Sequence, residues 1–242
     1  MAHHHLLFIV GFVFGFFVFD LAAQLSQNEQ NYCAAFNNNL RRVVATGNQQ
    51  NKSGGKLPPA TNMLEMAYNE TIGQTAQAWA DKCQFSHSKV NGLGENIYWS
   101  TKEGISNTEA LNKAFAFWWN EAVTIGIPED MVIDANNFEP IGHFTQMAWH
   151  STTDIGCGVA KCQAAQWKLF VVCNYWPPGN VLGQTIYGPG DTCSASSFCT
   201  NDGQQSAEQW RGAEKPCACG DCNRSRPRAD SRMTEEAEES RS

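Results

Sequence analysis

The sequence predicts an α+β domain, cross-linked by disulfides and built for an extracellular setting. Three stretches with apolar residues every third or fourth position precede two β-like runs, Ile155 to Ala160 and Leu169 to Tyr175. All 10 cysteines fall after an apolar leader, and an even, high count in such a chain reads as disulfides. The charge balance, Lys+Arg 17 against Asp+Glu 24, gives −7, which opposes a phosphate backbone and excludes a typical nucleic-acid partner. At 242 residues the chain has room for one medium domain and a small appendage, so a large multidomain enzyme is excluded.

The elements follow in order. Leu6 to Phe19 is an apolar run broken only by Gly11 and Gly15, short for a membrane span and right for the centre of a signal peptide. Ala22 and Ala23 offer the small residues of a cleavage site, so 1–23 is expected to be removed and the mature chain to start near Gln24. Met1 and three histidines stand where such leaders usually carry Lys or Arg. No later stretch is long enough to cross a bilayer, and the mature protein is expected to have no membrane span.

From Cys33 the positions Cys33, Phe36, Leu40, Val43 and Val44 form an apolar helix face opposite Asn37, Asn38, Arg41 and Arg42, and Gly47 supplies the stop. Residues 48–59 are polar, Gly-rich and closed by two prolines, and read as a loop. A second helix from about Thr71 buries Ile72, Ala76, Trp79, Ala80 and Cys83 and leads to Ser86-His87-Ser88. Asn91-Gly92 and Gly94 then break the chain before a short strand, Asn96 to Trp99. Ser106 with Glu109 makes a capping box for a third helix whose buried stripe is Leu111, Ala114, Phe115 and Trp118, ending close to Glu121. His143 reads as part of an aromatic, Gly-flanked turn. The two later runs read as antiparallel neighbours, with Cys157 and Cys173 placed to bridge them and Pro177-Pro178 ending the second. Residues 188–222 hold little apolar material and need their five cysteines, Cys193, Cys199, Cys217, Cys219 and Cys222, as staples. Residues 223–242 contain no core residue and are expected to be disordered. Asn51, Asn69 and Asn223 begin glycosylation sequons.

Beyond the leader only His87, His143 and His150 remain as imidazoles. Glu95 lies between Gly94 and Asn96 at the start of a strand, and Glu121 follows Trp118-Trp119. Two imidazoles and two carboxylates suit a divalent cation, since both donor types ligate zinc. Their spacing matches no compact metal motif, and helix caps, surface pairs and a core histidine account for the same residues. Tyr98, Trp99, Phe117 and Trp119 are the aromatic residues to watch as a contact surface, against the alternative that the 8 Trp serve packing.

Gly142-His143-Phe144-Thr145-Gln146-Met147-Ala148-Trp149-His150 resembles the first signature of the CAP superfamily, which groups cysteine-rich secretory, antigen 5 and pathogenesis-related-one proteins. Phe170-Val171-Val172-Cys173-Asn174-Tyr175-Trp176-Pro177 resembles its second, and Gly94-Glu95-Asn96-Ile97, Cys83 to Ser88 and Ile155-Gly156-Cys157-Gly158 fit the pattern between them. The likeness spans about residues 30–180 and is nearest to nematode secreted venom-allergen-like proteins. It implies a three-layer α-β-α sandwich around a small, mostly antiparallel sheet. It implies bridges Cys83–Cys162 and Cys157–Cys173, and it places the family's metal-binding tetrad on His87, Glu95, Glu121 and His143, with zinc the expected ion. The remaining six cysteines, Cys33 and the five of the tail, then have three bridges to form, one of them from Cys33 to the tail. Asn37 departs from the family, which has His there, outside the tetrad. The function implied is that of a secreted, non-enzymatic effector that meets host or extracellular proteins and takes up sterols or fatty acids. The alternative is a metal-dependent hydrolase of protease or lipase type, with Glu95 or Glu121 as general base.

Overall fold

A computed structural model describes residues 24–191 apart from 53, 164 and 165. The expected leader, the five tail cysteines, the Asn223 sequon and the expected disordered tail lie outside the described residues.

The chain order is α1 (Gln27–Ala45), β1 (Ala67–Tyr68), α2 (Glu70–Ala80), β2 (Gly94–Ser100), α3 (Asn107–Trp119), α4 (Glu121–Thr124), α5 (Phe138–Met147), β3 (Asp154–Lys161) and β4 (Leu169–Trp176). The strands form one sheet in the order β1-β3-β4-β2. β4 pairs antiparallel with both β3 and β2, and only the short β1 pairs in parallel. α2 packs on one face of this sheet, while α1, α3 and α5 share the other with the main core. The three-layer α-β-α sandwich is therefore present.

Two glycines set the distance between α2 and the sheet. A Cβ on Gly156 would stand 2.1 Å from the Gly73 nitrogen, and one on Gly158 would stand 2.4 Å from the backbone of Gln77. Only bare backbone allows the helix to settle there. Cys157 and Cys173 oppose each other in the β3–β4 register and are bridged. Cys83 and Cys162 join the chain just beyond α2 to the end of β3, closing a separation of 79 residues.

α1 departs from its sequence reading at both levels. It begins at Gln27, because Ser26 and Glu29 form a reciprocal capping box ahead of the apolar periodicity. Its expected polar face is also partly inward: Asn37, Asn38 and Arg41 are buried, and Val43 is exposed. The reason is hydrogen bonding. Asn38 donates to the Met66 carbonyl and accepts from the Met66 amide, each at 2.8 Å. Arg41 donates to the carbonyls of Leu64, Met147, Trp149, His150 and Thr152. A side chain whose donors all find acceptors inside costs far less to bury than its polarity suggests.

Cys33 faces the core from the same helix with a fully buried thiol that bridges no described cysteine, and burial pushes its pKa up. Its expected bridge to the tail would start from this sealed position. His143 lies within α5, not in a turn, and Trp119 is buried, with its indole Nε1 donating to Gln49.

Candidate functional site

β2 is an edge strand with Glu95 as its second residue, and the other three expected ligands come from the segment before it, from α4 and from α5. α3 ends at Trp119, and after Asn120 Glu121 opens α4 with its side chain largely buried. From there its Oε1 sits 2.6 Å from His143 Nδ1 on α5, and its Oε2 accepts the Phe144 N–H at 2.8 Å. The Trp118 ring stacks on the His143 imidazole, 5.9 Å between centroids and 16° from parallel, while its Nε1 donates to the Ile97 carbonyl of β2. Asn96 donates to the His143 carbonyl. One carboxylate, one indole and one amide thus fix this imidazole.

The second pair is built on the opposite face. Side chains alternate along a strand, so Glu95 shares its face with Ile97, which packs on α2, while Asn96 points to α5. Glu95 Oε1 lies 2.9 Å from His87 Nδ1 and accepts the Ser88 N–H, and its Oε2 accepts from Asn174 across the sheet. Burial pushes the Glu95 carboxyl up, but these hydrogen bonds outweigh it and hold the pKa below the usual carboxylate value. The segment carrying His87 is pinned on both sides. The Cys83–Cys162 bridge anchors its start, Trp79 Nε1 donates to the Ser86 carbonyl, and Phe85 packs edge-on against Phe170 and Trp99. The His87 side chain is nevertheless 56% exposed.

The free edge of β2 thus runs between two imidazoles, each with Nδ1 facing a carboxylate and Nε2 left over. Among the described residues no three His, Cys, Asp or Glu side chains converge on a common point that would hold an ion. The two glutamates expected as ligands are engaged with the histidines instead. His150 stands apart: it is half-buried behind α5, and burial and the nearby Arg41 charge lower its pKa. Trp99 and Phe117 are the exposed aromatic residues of the expected set, at 40% and 59%.

Sequence reasoning missed the supporting residues Asn96, Asn174, Ser88, Trp118 and Gln146. All but Trp118 lie inside the quoted motifs, and Gln146 explains Gly94: a Cβ there would meet the Gln146 amide at 2.0 Å. Gln146 also accepts the Gly179 N–H, so the first signature, the start of β2 and the chain just beyond the second signature meet at one side chain.

Residues 34–175 match the pattern of the family described as CAP, the cysteine-rich secretory protein family. The chain belongs to this family. Among CAP relatives, venom allergen 5.02 of Dolichovespula maculata is 34% identical over 169 residues, covering 67% of this chain and 78% of the relative. The Ancylostoma secreted protein of Ancylostoma caninum is 37% identical over 167 residues, which is 66% of this chain but only 39% of the relative. Among solved structures, NaASP2 with Zn2+ superposes with a TM-score of 0.70 at 34% identity, covering 74% of this chain and 94% of that one. Na-ASP-1 gives 0.69 at 32% identity, covering 77% and 47% respectively. No described helix of this CAP protein is long and apolar enough to cross a membrane.

Proposed function

We propose that the protein is a secreted, non-enzymatic CAP effector whose cleft at the β2 edge holds a divalent metal, zinc by preference, through the Nε2 atoms of His87 and His143. The observation that carries this reading is the engagement of both Nδ1 atoms by carboxylates. A carboxylate on one ring nitrogen fixes the tautomer and raises the basicity of the other, the usual outer arrangement of a metal-bound imidazole. Glu95 and Glu121 accordingly act as orienting residues, and two protein nitrogens would leave the remaining coordination positions to water or to a partner. Bound there, the ion would supply a Lewis-acidic contact point. The structure of NaASP2 with Zn2+ gives the choice of ion further support.

The hydrolase reading fares worse on the same geometry. Both carboxylates that would act as general base are turned to an imidazole Nδ1 and a neighbouring backbone N–H, Glu95 to His87 and Ser88 and Glu121 to His143 and Phe144, which favours an orienting role over proton abstraction. The secreted setting is supported by relatives named as venom allergens and as a secreted protein, and by the two bridges. Host or extracellular proteins are the proposed partners, with the exposed Trp99 and Phe117 at hand on the two faces of the same edge region; sterols and fatty acids are the small ligands to test.

The test is a zinc titration of the mature protein by calorimetry, beside a His87→Ala, His143→Ala double variant. Saturable binding near one ion per chain that disappears in the variant supports the reading. Equal signals from both proteins would remove it.

A further inference from the structure

The sheet edge opposite the histidine pairs carries a concavity. α1 passes β1 and the start of α2 there, and a groove of about 470 Å3 opens between them. Its size lies in the range of small-ligand sites.

The shape follows from one helical stripe. Positions 27, 31, 35 and 39 are successive i, i+4 steps on α1 and read Gln, Asn, Ala, Asn. Ala35 leaves a gap where its neighbours carry amides, and Ala34 beside it deepens the wall. Tyr68 and Glu70 form the facing side.

The polar groups lining this groove are only partly used. Gln27 donates to Asn31 Oδ1, which leaves Gln27 Oε1 and Asn31 Nδ2 without a partner among the described residues. Gln30, more than nine-tenths buried behind them, donates to the Leu25 carbonyl while its Oε1 finds no partner. Arg42 closes one end, but its charge is neutralised by Glu65 and it also donates to Asn39. The Glu70 carboxylate has no described partner. Donors and acceptors therefore alternate along the groove, with one free carboxylate, one phenol ring and no aliphatic floor beyond two alanine methyls.

That lining selects against a lipid tail, which needs apolar walls, and against an anion, which would meet Glu70 and no unpaired cation. It suits a ligand whose every edge both donates and accepts, as hydroxyl groups do. We propose that this groove binds a neutral oligosaccharide of two or three sugars, held by Gln27, Asn31 and Glu70. The site is separate from the histidine pairs and independent of metal.

The probes are maltotriose, cellotriose and tri-N-acetylchitotriose, titrated against the mature protein by calorimetry and by ligand-observed saturation-transfer NMR. Saturable binding of at least one of them is expected. Ala35→Trp, at an exposed helix position, fills the groove without removing a polar group, and should weaken that binding by at least about tenfold. Asn31→Ala should weaken it by about threefold to tenfold. The His87→Ala, His143→Ala double variant should bind the sugar as the wild type does, so loss of the metal reading leaves this one standing. Failure of all three sugars to saturate, an Ala35→Trp affinity equal to wild type, or tetraglycine competing where no sugar binds would each overturn the proposal.

Discussion

Glu121 holds His143 through two bonds at once: Oε1 lies 2.6 Å from the imidazole Nδ1, and Oε2 accepts the N–H of the following residue at 2.8 Å. Ring and helix backbone are thereby locked by one carboxylate. Glu121→Gln keeps the volume and one acceptor but removes the charge that makes Nε2 a stronger donor. Zinc affinity is expected to drop about 10- to 100-fold, the usual loss when an orienting partner of a metal-bound histidine is changed, with the fold retained. A competition titration with a chromophoric chelator measures this; an unchanged affinity would deny Glu121 the orienting role.

Glu95 should make stability sensitive to acid. Its folded pKa lies below the ordinary carboxylate value, since the hydrogen bonds to its charged form outweigh burial. The folded state therefore binds its proton less tightly than the unfolded chain does. The stabilisation is complete above the unfolded value of about 4.3 and is lost as pH falls through the lowered folded value. Urea unfolding from pH 7 down to about pH 3 should show a shallower acid decline in Glu95→Gln than in the wild type. Parallel declines would mean that Glu95 contributes nothing to the acid limb.

Arg41 is the polar centre of the core. Burial pulls its pKa down to about 9, so it is still charged at neutral pH, and it gathers five backbone carbonyls from the residues before β1 and the end of α5. If the guanidinium goes, the Trp149 and His150 carbonyls keep the backbone N–H groups of Thr152 and Leu64, while those of Leu64, Met147 and Thr152 lose the donor that Arg41 supplies. Arg41→Met is expected to cost about 3–5 kcal/mol, and Arg41→Lys to recover only part, because an ammonium offers fewer donors in a different geometry. Because Arg41 fastens the C-terminal end of the helix carrying His143, the Lys variant should also weaken zinc binding. Denaturant midpoints and the zinc titration together check this.

What could be read from the sequence was what repeats with a period or cross-links visibly. α2, α3, β3 and β4 carry their apolar stripes openly, and the register that joins Cys157 to Cys173 follows from two adjacent runs. For α1 the periodicity puts Asn37, Asn38, Arg41 and Arg42 outward, because it assumes that polar residues seek water, whereas Asn38 and Arg41 find backbone partners contributed from Leu64, Met66 and the region beyond α5. α5 was missed since Gly142 lies inside it and Pro140 in its first turn, where proline is tolerated. β1 is two residues long and leaves no pattern. At the site, the resemblance groups His87, Glu95, Glu121 and His143 as one tetrad, whereas the structure pairs His87 with Glu95 and His143 with Glu121, and spacing says nothing about which atom faces which. That each carboxylate turns to Nδ1 is a matter of rotamers set by Ser88, Asn174 and Phe144.

Asn69 allows local structure and modification to be separated. Its side-chain oxygen accepts from the Thr71 and Ile72 amides, capping α2, and its nitrogen donates to Asp154. The same residue opens the sequon Asn69-Glu70-Thr71. A glycan takes one hydrogen from that nitrogen but leaves the capping oxygen free, so cap and modification are compatible here. At Asn51 the oxygen accepts the Ile127 N–H and the nitrogen donates to the Ile127 carbonyl, which likewise leaves one nitrogen hydrogen to be replaced by a sugar. Asn69→Ala should lower stability by about 0.5–2 kcal/mol, the usual cost of losing such a cap, whereas Thr71→Ala abolishes the sequon and keeps the cap. Thermal melts of the two variants, each compared with enzymatically deglycosylated wild type, read the difference. Equal losses in both would deny the Asn69 cap a stabilising role of its own.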